Sequence, residues 1–198
     1  INFEIIKNME VCTYNNEMPS AKLFDLIKKA DANKDASFEL GMMYLNGNQV
    51  RQDTQRAIFY FEQASKQGHL GVDAVYGYLY KCGAPNLEPN PLKAAESFEF
   101  AGLYTGYNAI LTDETLLWEA VNLWLYGGEG KTPLDKERGV DLLRAMCARG
   151  VSYAMVLMGE IYSKGLWGVA KDKNVANKWY RKSEEKCPVV GFYSRDND

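Results

Sequence analysis

A recurring pattern of small and aromatic residues limits what this chain can fold into more than any other feature. Gly, Tyr and Gly recur at three-residue steps within Gly41–Gly47, Gly77–Gly83 and Gly159–Gly165. The first two of these copies are about 36 residues apart, a spacing typical of repeats made of two helices. Because the small residues lie at helical spacing, they indicate helices that approach a neighbour closely.

Each copy is followed by a polar loop and a second amphipathic segment. In the first copy, Ala57, Tyr60, Phe61 and Ala64 follow the i, i+3, i+4, i+7 pattern of a buried helix face. A single helix pair cannot bury both of its faces, so the pairs are expected to stack into an all-α solenoid of nine or more helices. A residue suited to an N-cap stands before each second segment. These residues are Asp53, Asn90, Asp135 and Asp172.

The third copy departs from the pattern. Leu123 stands where the other copies have the helix-interior Gly, and Gly139 stands where they have Ala at the start of the second segment. An insertion around Tyr104 to Trp118 precedes this copy. The local geometry of the third copy is therefore the least predictable part of the repeat array.

These residues resemble the Sel-1-like repeat, a relative of the tetratricopeptide repeat. That family's pattern is Ala-x-x-x-Leu-Gly-x-x-Tyr-x-x-Gly, a loop, and then Asp-x-x-Lys-Ala-x-x-Trp-Tyr-x-x-Ala. The resemblance covers roughly residues 32–186 and implies an α/α superhelix of about four helix-pair repeats. We assign the repeats to about 32–68, 69–105, 115–150 and 151–186, within a solenoid of residues 20–186.

The segments outside the repeats have separate expected roles. Residues 20–31 are expected to form a capping helix at the front of the stack, with Ser20 as its N-cap. Residues 1–19 form an N-terminal extension, and residues 187–198 form a C-terminal tail that begins after the last helix. Capping elements are expected because the open ends of a solenoid need covering.

Composition argues against several classes of function. The 198 residues carry 23 basic and 26 acidic side chains, so a basic surface for nucleic acid or anionic lipid is not expected. No segment approaches the length of apolar residues that a membrane helix needs. One histidine, His69, is expected in a turn or at the surface. Cys12, Cys82, Cys147 and Cys187 fit no zinc pattern, so they predict isolated thiols or one disulfide.

Two short motifs allow a catalytic alternative. Ser183 and Lys186 match the S-x-x-K motif of serine hydrolases, but the companion motifs are absent. Residues 127–132 resemble part of a phosphate loop that lacks its first glycine and its preceding strand. We therefore predict a protein without catalytic, cofactor or metal sites, and keep the hydrolase as the alternative from another class.

The predicted function is binding of one partner protein on the inner, concave face of the solenoid. The residue that follows Gly41 should point along this face, as should the residues three before and four or five after that glycine. Carrying these offsets through the copies defines the first-helix surface. Its residues are Phe38, Met42, Tyr78, Lys81, Trp124, Glu160 and Lys164. Trp118 and Tyr104 stay open between interface and packing.

The family resemblance implies adaptor or scaffold roles, mostly in bacteria. An immunity protein that inhibits a secreted toxin or lipase effector is one form of this role, and a virulence or signalling adaptor is the other. The compartment stays open, with the bacterial periplasm favoured slightly over the cytoplasm. The sequence does not name the partner or the oligomeric state.

Overall fold

The computed structural model describes residues 19–105, 113–128 and 132–186. In these ranges the chain forms nine α-helices and no β-strand, apart from an isolated bridge between Ala84 and Leu87. The predicted all-α solenoid of helix-pair repeats is confirmed. The helices are α1 (Ser20–Ala30), α2 (Lys34–Asn46), α3 (Thr54–Lys66), α4 (Val72–Cys82), α5 (Pro91–Phe100), α6 (Asp113–Tyr126), α7 (Lys136–Ala148), α8 (Ser152–Lys164) and α9 (Lys173–Lys186).

Helices α2 to α9 form four consecutive pairs, each with a first and a second helix. The first helices are α2, α4, α6 and α8, and the second helices are α3, α5, α7 and α9. Helix α1 precedes them and packs on the first pair, as expected of a capping helix, through Leu23, Leu26 and Ile27. Helix α5 continues into a π-helical turn, Ala101–Thr105. Part of the predicted insertion, residues 106–112, lies outside the described ranges.

Side-chain caps fix where the second helices begin. Asp53, Asn90 and Asp135 each accept a hydrogen bond of 3.0 Å from a backbone N–H three residues later. Asp172 accepts from the backbone of Asn174 and Val175. All four predicted N-caps are therefore confirmed. The predicted cap at Ser20 is wrong: Pro19 holds the N-cap position of α1, and this helix starts without a side-chain cap.

Glycine allows the two helices of a pair to come into contact. A Cβ on Gly41 would lie 2.5 Å from Cε1 of Phe61, and one on Gly77 would lie 2.5 Å from Cδ1 of Phe98. In the fourth pair, a Cβ on Gly159 would lie 2.5 Å from Cε1 of Tyr180. These distances are shorter than any non-bonded contact between two carbon atoms. The aromatic ring of each second helix therefore fills the space that the Cβ of any other residue would occupy.

In the third pair the glycine at the helix contact is on the second helix instead of the first. Leu123 on the first helix is buried, and the glycine is Gly139 on the second helix. A Cβ on Gly139 would lie 2.5 Å from Cδ2 of Leu125. The departure that the sequence shows at Leu123 is thus accompanied by a small residue on the facing helix.

The chain divides into two compact units, residues 1–120 and 121–198. In the first unit a continuous apolar core joins α1 to α4 and includes Leu40, Phe61 and Leu79. In the second unit, buried Leu143, Met146 and Met158 come from α7 and α8. Each unit thus has its own set of buried residues.

Candidate protein-binding surface

The two aromatic residues that the sequence places at the centre of the first-helix surface are buried. Tyr78 is 4% exposed, and its ring packs edge-on against Phe98 with centroids 4.8 Å apart. Burial, together with the charge of Glu119, raises the pKa of Tyr78 to about 12. The expectation that Tyr78 projects away from the core is therefore wrong, because its ring reaches the facing helix beside the contact at Gly77.

Trp124 is buried for a related reason. It is 1% exposed, and the guanidinium of Arg138 lies 4.3 Å from its ring centroid. Its Cβ lies on the side of α6 that faces Gly139, since a Cβ on that glycine would be 3.0 Å away. The position of Trp124, one residue after the equivalent of Gly41, therefore faces the inside of the third helix pair. The expected exposure of Trp124 is also wrong.

The remaining apolar residues of the first-helix surface are half-buried. Met42 packs partly against the core of the first unit. Phe38 stacks on His69, with ring centroids 4.1 Å apart, and also touches Phe61. One face of Phe38 is consequently covered by the ring of His69, and only part of this side chain is available to a partner.

The charged residues of this surface form ion pairs. Lys81 on α4 donates to Glu119 on α6, and both side chains are partly buried within the first unit. Glu160 and Lys164, one turn apart on α8, lie 3.5 Å from each other and are more exposed. Glu119 was not identified from the sequence. Its charge and its position one turn before Leu123 are the only signals that could have indicated it.

His69 lies in the turn after α3, as the sequence predicts, but its side chain is only 6% exposed. Its Nδ1 accepts a hydrogen bond of 3.2 Å from the backbone N–H of Gly71. Its Nε2 lies 3.7 Å from a carboxylate oxygen of Asp35. Burial lowers the pKa of His69, and the nearby Asp35 only partly opposes this. Of the two predicted settings, a turn or the surface, His69 therefore takes the turn, and its imidazole is buried there.

A cavity that the sequence did not reveal lies in the first unit. It has a volume of about 710 Å³ and is bordered by α1, the loop between α2 and α3, the start of α3, and the loop after α4. Its lining includes Phe24, Arg51, Thr54 and Arg56. Phe24 lies off the apolar stripe that buries α1, which is the one feature of the sequence that could have pointed here.

The residues of the alternative catalytic reading do not form a catalytic arrangement in the described structure. The Ser183 hydroxyl donates to the carbonyl of Tyr180 at 2.7 Å, and Lys186 is exposed. Half of the loop that resembles a phosphate site, residues 129–131, lies outside the described ranges. Across the described ranges, no three His, Cys, Asp or Glu side chains group in a way that could hold a metal ion.

The cysteines and exposed aromatics have the following positions. Cys82 and Cys147 are free thiols, and burial raises the pKa of Cys147 to about 11. Cys12 and Cys187 lie outside the described residues, so the predicted choice between thiols and a disulfide stays open for them. Tyr104 is exposed beside Phe100, while Trp118 is half-buried. None of the described helices has both the length and the apolar character to span a membrane.

One solved structure supports the fold by superposition, and a second is similar in sequence. A Sel1 repeat protein from Oxalobacter formigenes superposes with a TM-score of 0.66 at 21% identity, over 85% of this chain and 47% of that one. A protective antigen present in uropathogenic Escherichia coli strains, which displays an SLR fold, matches at 22% identity with a TM-score of 0.39. That match covers 85% of this chain and 41% of the antigen. The chain thus spans less than half the length of either structure.

No curated protein matches the sequence. The Sel1 repeat pattern, however, matches the chain four times, at residues 34–69, 74–99, 120–151 and 152–186. These matches cover well over half of the chain, and three of them contain the interlocking of a first-helix glycine with a second-helix ring. The chain therefore belongs to the Sel1 repeat family.

Proposed function

We propose that this chain is a non-enzymatic module that binds one partner protein through the first helices of its repeats. The observation that carries the proposal is the presence of four Sel1 repeats, because this family typically mediates protein–protein interaction. Proteins with these repeats are also generally non-enzymatic. The chemistry of the first helices is consistent with this role.

The first helices offer two kinds of contact. Met42 and Phe38 are half-buried apolar side chains in the first unit, and Glu160 and Lys164 are exposed charges in the second. Protein interfaces combine apolar anchors with charges at their rim. Because Tyr78 and Trp124 are buried, Met42 takes over as the main apolar anchor in this proposal, while the charged residues select the partner's orientation.

The test compares two exposed lysines in the second unit. Lys164 is on the first helix α8, and Lys178 is on the second helix α9. The tagged chain is used to capture partners from a lysate of the source organism, and each captured protein is purified for titration calorimetry. We expect Lys164→Glu and Met42→Asp to weaken binding about tenfold or more, and Lys178→Glu to leave it unchanged.

The opposite ranking of the two lysine variants would place the interface on the second helices and would refute the proposed surface. Equal, unchanged affinity for all three variants would exclude the described first helices from the interface. A thermal melt of each variant shows whether a lost affinity reflects lost folding. Both Lys164 and Lys178 are exposed, so neither charge reversal is expected to unfold the chain.

For the partner we propose a secreted bacterial toxin or lipase effector that this chain inhibits, in the manner of an immunity protein. This role is one of two that the family resemblance implies; the other is a virulence or signalling adaptor. The proposed compartment is the bacterial periplasm. Adding the purified chain to the purified partner distinguishes the two roles: an immunity protein abolishes the partner's activity at a one-to-one ratio, whereas an adaptor leaves it unchanged.

A further inference from the structure

We propose that the cavity between α1 and the start of α3 binds an acidic peptide segment. In this proposal a side-chain carboxylate of the peptide lies against Arg51 and the start of α3, and a neighbouring apolar side chain packs on Phe24. The site differs in place and chemistry from the first-helix surface, so it goes beyond the proposed function and can be tested without the partner of that surface.

The cavity is large enough for such a ligand. Its volume of about 710 Å³ lies within the range of ordinary ligand-binding clefts. All of the lining residues belong to the first unit. Apolar side chains come from α1, and polar ones from the two loops and the start of α3. The lining consists of Leu23, Phe24, Ile27, Tyr44, Gln49, Val50, Arg51, Gln52, Asp53, Thr54, Gln55, Arg56, Pro85 and Asn86.

The loop that carries Arg51 is held in place on both sides. The side-chain amide of Gln52 donates to the carbonyl of Leu45 at 2.8 Å, and the backbone N–H of Asp53 donates to the carbonyl of Tyr44 at 2.9 Å. Val50, next to Arg51, is buried. Binding a ligand at Arg51 therefore requires little ordering of the loop, which lowers the entropic cost of association.

The charges of the cavity favour an anion. Arg56 already has partners within the protein. Its Nε lies 3.3 Å from a carboxylate oxygen of Asp53, and its guanidinium lies over the ring of Tyr44, 5.5 Å from the centroid. Arg51 is exposed and has no ion-pair or hydrogen-bond partner among the described residues. One positive charge consequently remains at the start of the thirteen-residue helix α3, where the helix dipole also attracts negative charge.

The apolar side of the cavity indicates a peptide rather than a small inorganic anion. Phe24 is 56% exposed, and Leu23 and Ile27 lie one and three residues from it along α1. Exposed aromatic rings that border a cavity serve as anchors for apolar side chains. An acidic residue beside an apolar one in a peptide satisfies both sides of the cavity at once.

The test uses two blocked peptides, acetyl-Ala-Phe-Glu-Ala-amide and its counterpart with Gln in place of Glu. Each is titrated into the full chain labelled with nitrogen-15, and amide shifts are followed by NMR. We expect saturable shifts at the cavity residues, with the Glu peptide bound about tenfold more tightly than the Gln peptide. Arg51→Gln should remove that preference, whereas Lys66→Gln, at the other end of α3 and outside the lining, should keep it.

The proposal is overturned if neither peptide produces saturable shifts at the cavity, if both bind equally, or if Arg51→Gln and Lys66→Gln behave alike.

Discussion

The first and third helix pairs solve the same packing problem with the small residue on opposite helices. In the first pair, Gly41 on the first helix receives the ring of Phe61 from the second. In the third pair, Leu123 is buried on the first helix, and Gly139 on the second receives Leu125. The comparison shows that a close helix contact requires one glycine at the crossing and that either helix can supply it.

This difference has a consequence for energetics. Glycine inside a helix costs about 1 kcal/mol relative to alanine, so each pair carries that cost once and offsets it by packing. A substitution at this contact on one helix alone should therefore lower the free energy of unfolding, whether the glycine of the pair is on the first or the second helix. This holds even when the substitution introduces the residue that the other pairs have at that position.

The largest effect is expected from restoring the family's glycine in the third pair. Leu123→Gly should destabilise the protein by about 3–6 kcal/mol, because it removes a buried leucine and adds a helix-interior glycine while Gly139 is already small. Urea denaturation followed by far-ultraviolet circular dichroism measures the change. Leu92→Gly on α5, where the leucine is half exposed, should cost only about 1 kcal/mol. A loss below that of the control would show that the third pair accepts the ordinary arrangement.

The next effect concerns the fourth pair. Gly159→Leu should destabilise by roughly 1–3 kcal/mol, because its side chain would overlap the ring of Tyr180. The double variant Gly159→Leu/Tyr180→Ala should be less destabilised than the sum of its two single changes, since the overlap is then removed. Strictly additive losses in the same urea experiment would mean that the ring does not determine the need for glycine.

A smaller difference separates Gly41→Ala from Gly159→Ala. Phe61 is fully buried and cannot move from the new methyl group, whereas Tyr180 is partly exposed and can rotate away. We expect Gly41→Ala to destabilise by about 1 kcal/mol. We expect Gly159→Ala to be near neutral, because the helix propensity of alanine offsets the contact. If both variants change the thermal midpoint equally, burial of the ring is not what distinguishes the pairs.

The smallest effect concerns the last residue of the first and third Sel1 matches, which is His69 in the first and Val151 in the third. In both, the backbone N–H of this residue donates to a carbonyl five residues earlier. Burial, with a smaller contribution from Lys34, lowers the pKa of His69 below 6.5, and Asp35 acts against this. The unfolded chain therefore binds a proton more readily, so stability should decline as pH falls through 6.5 towards the lower folded pKa.

Replacing His69 by valine, the residue that ends the third repeat, should remove this dependence of stability on pH. His69→Val should show a flatter dependence of the urea midpoint on pH between 7.5 and 5.5 than the unchanged chain, because His69 is the only histidine in the sequence. The slope is the informative quantity, since the variant also loses the acceptor for Gly71. Parallel slopes for the two proteins would assign the pH dependence to carboxylates instead.

The fold was predictable because its determinants are local. The glycines, the alanines and the N-caps from Asp53 to Asp172 each act within one helix or one helix pair, and these give a period that the sequence displays directly. The first-helix surface was less predictable. The direction of Tyr78 depends on how far a ring extends towards Phe98 on another helix, and a fixed offset from Gly77 contains no information on that distance.

The cavity was not predictable for a different reason. Phe24, Arg51 and Asn86 come from three separate elements, and no sequence spacing connects them. Gly139 was visible as a departure from the family pattern, but its role depends on Leu125 across the pair. Sequence patterns of this kind identify which positions are small, and the structure is needed to identify which side chain fills the space.

The division of the chain at residues 120 and 121 also determines what an optical probe can report. The four tryptophans are Trp118, Trp124, Trp167 and Trp179, so three belong to the second unit and the fourth, Trp118, lies on α6 three residues before the first residue of that unit. Emission from these indoles follows the loss of structure in the second unit and at its border. The helical signal at 222 nm reports on both units, so a gap between the two unfolding curves would reveal that the units melt in separate steps.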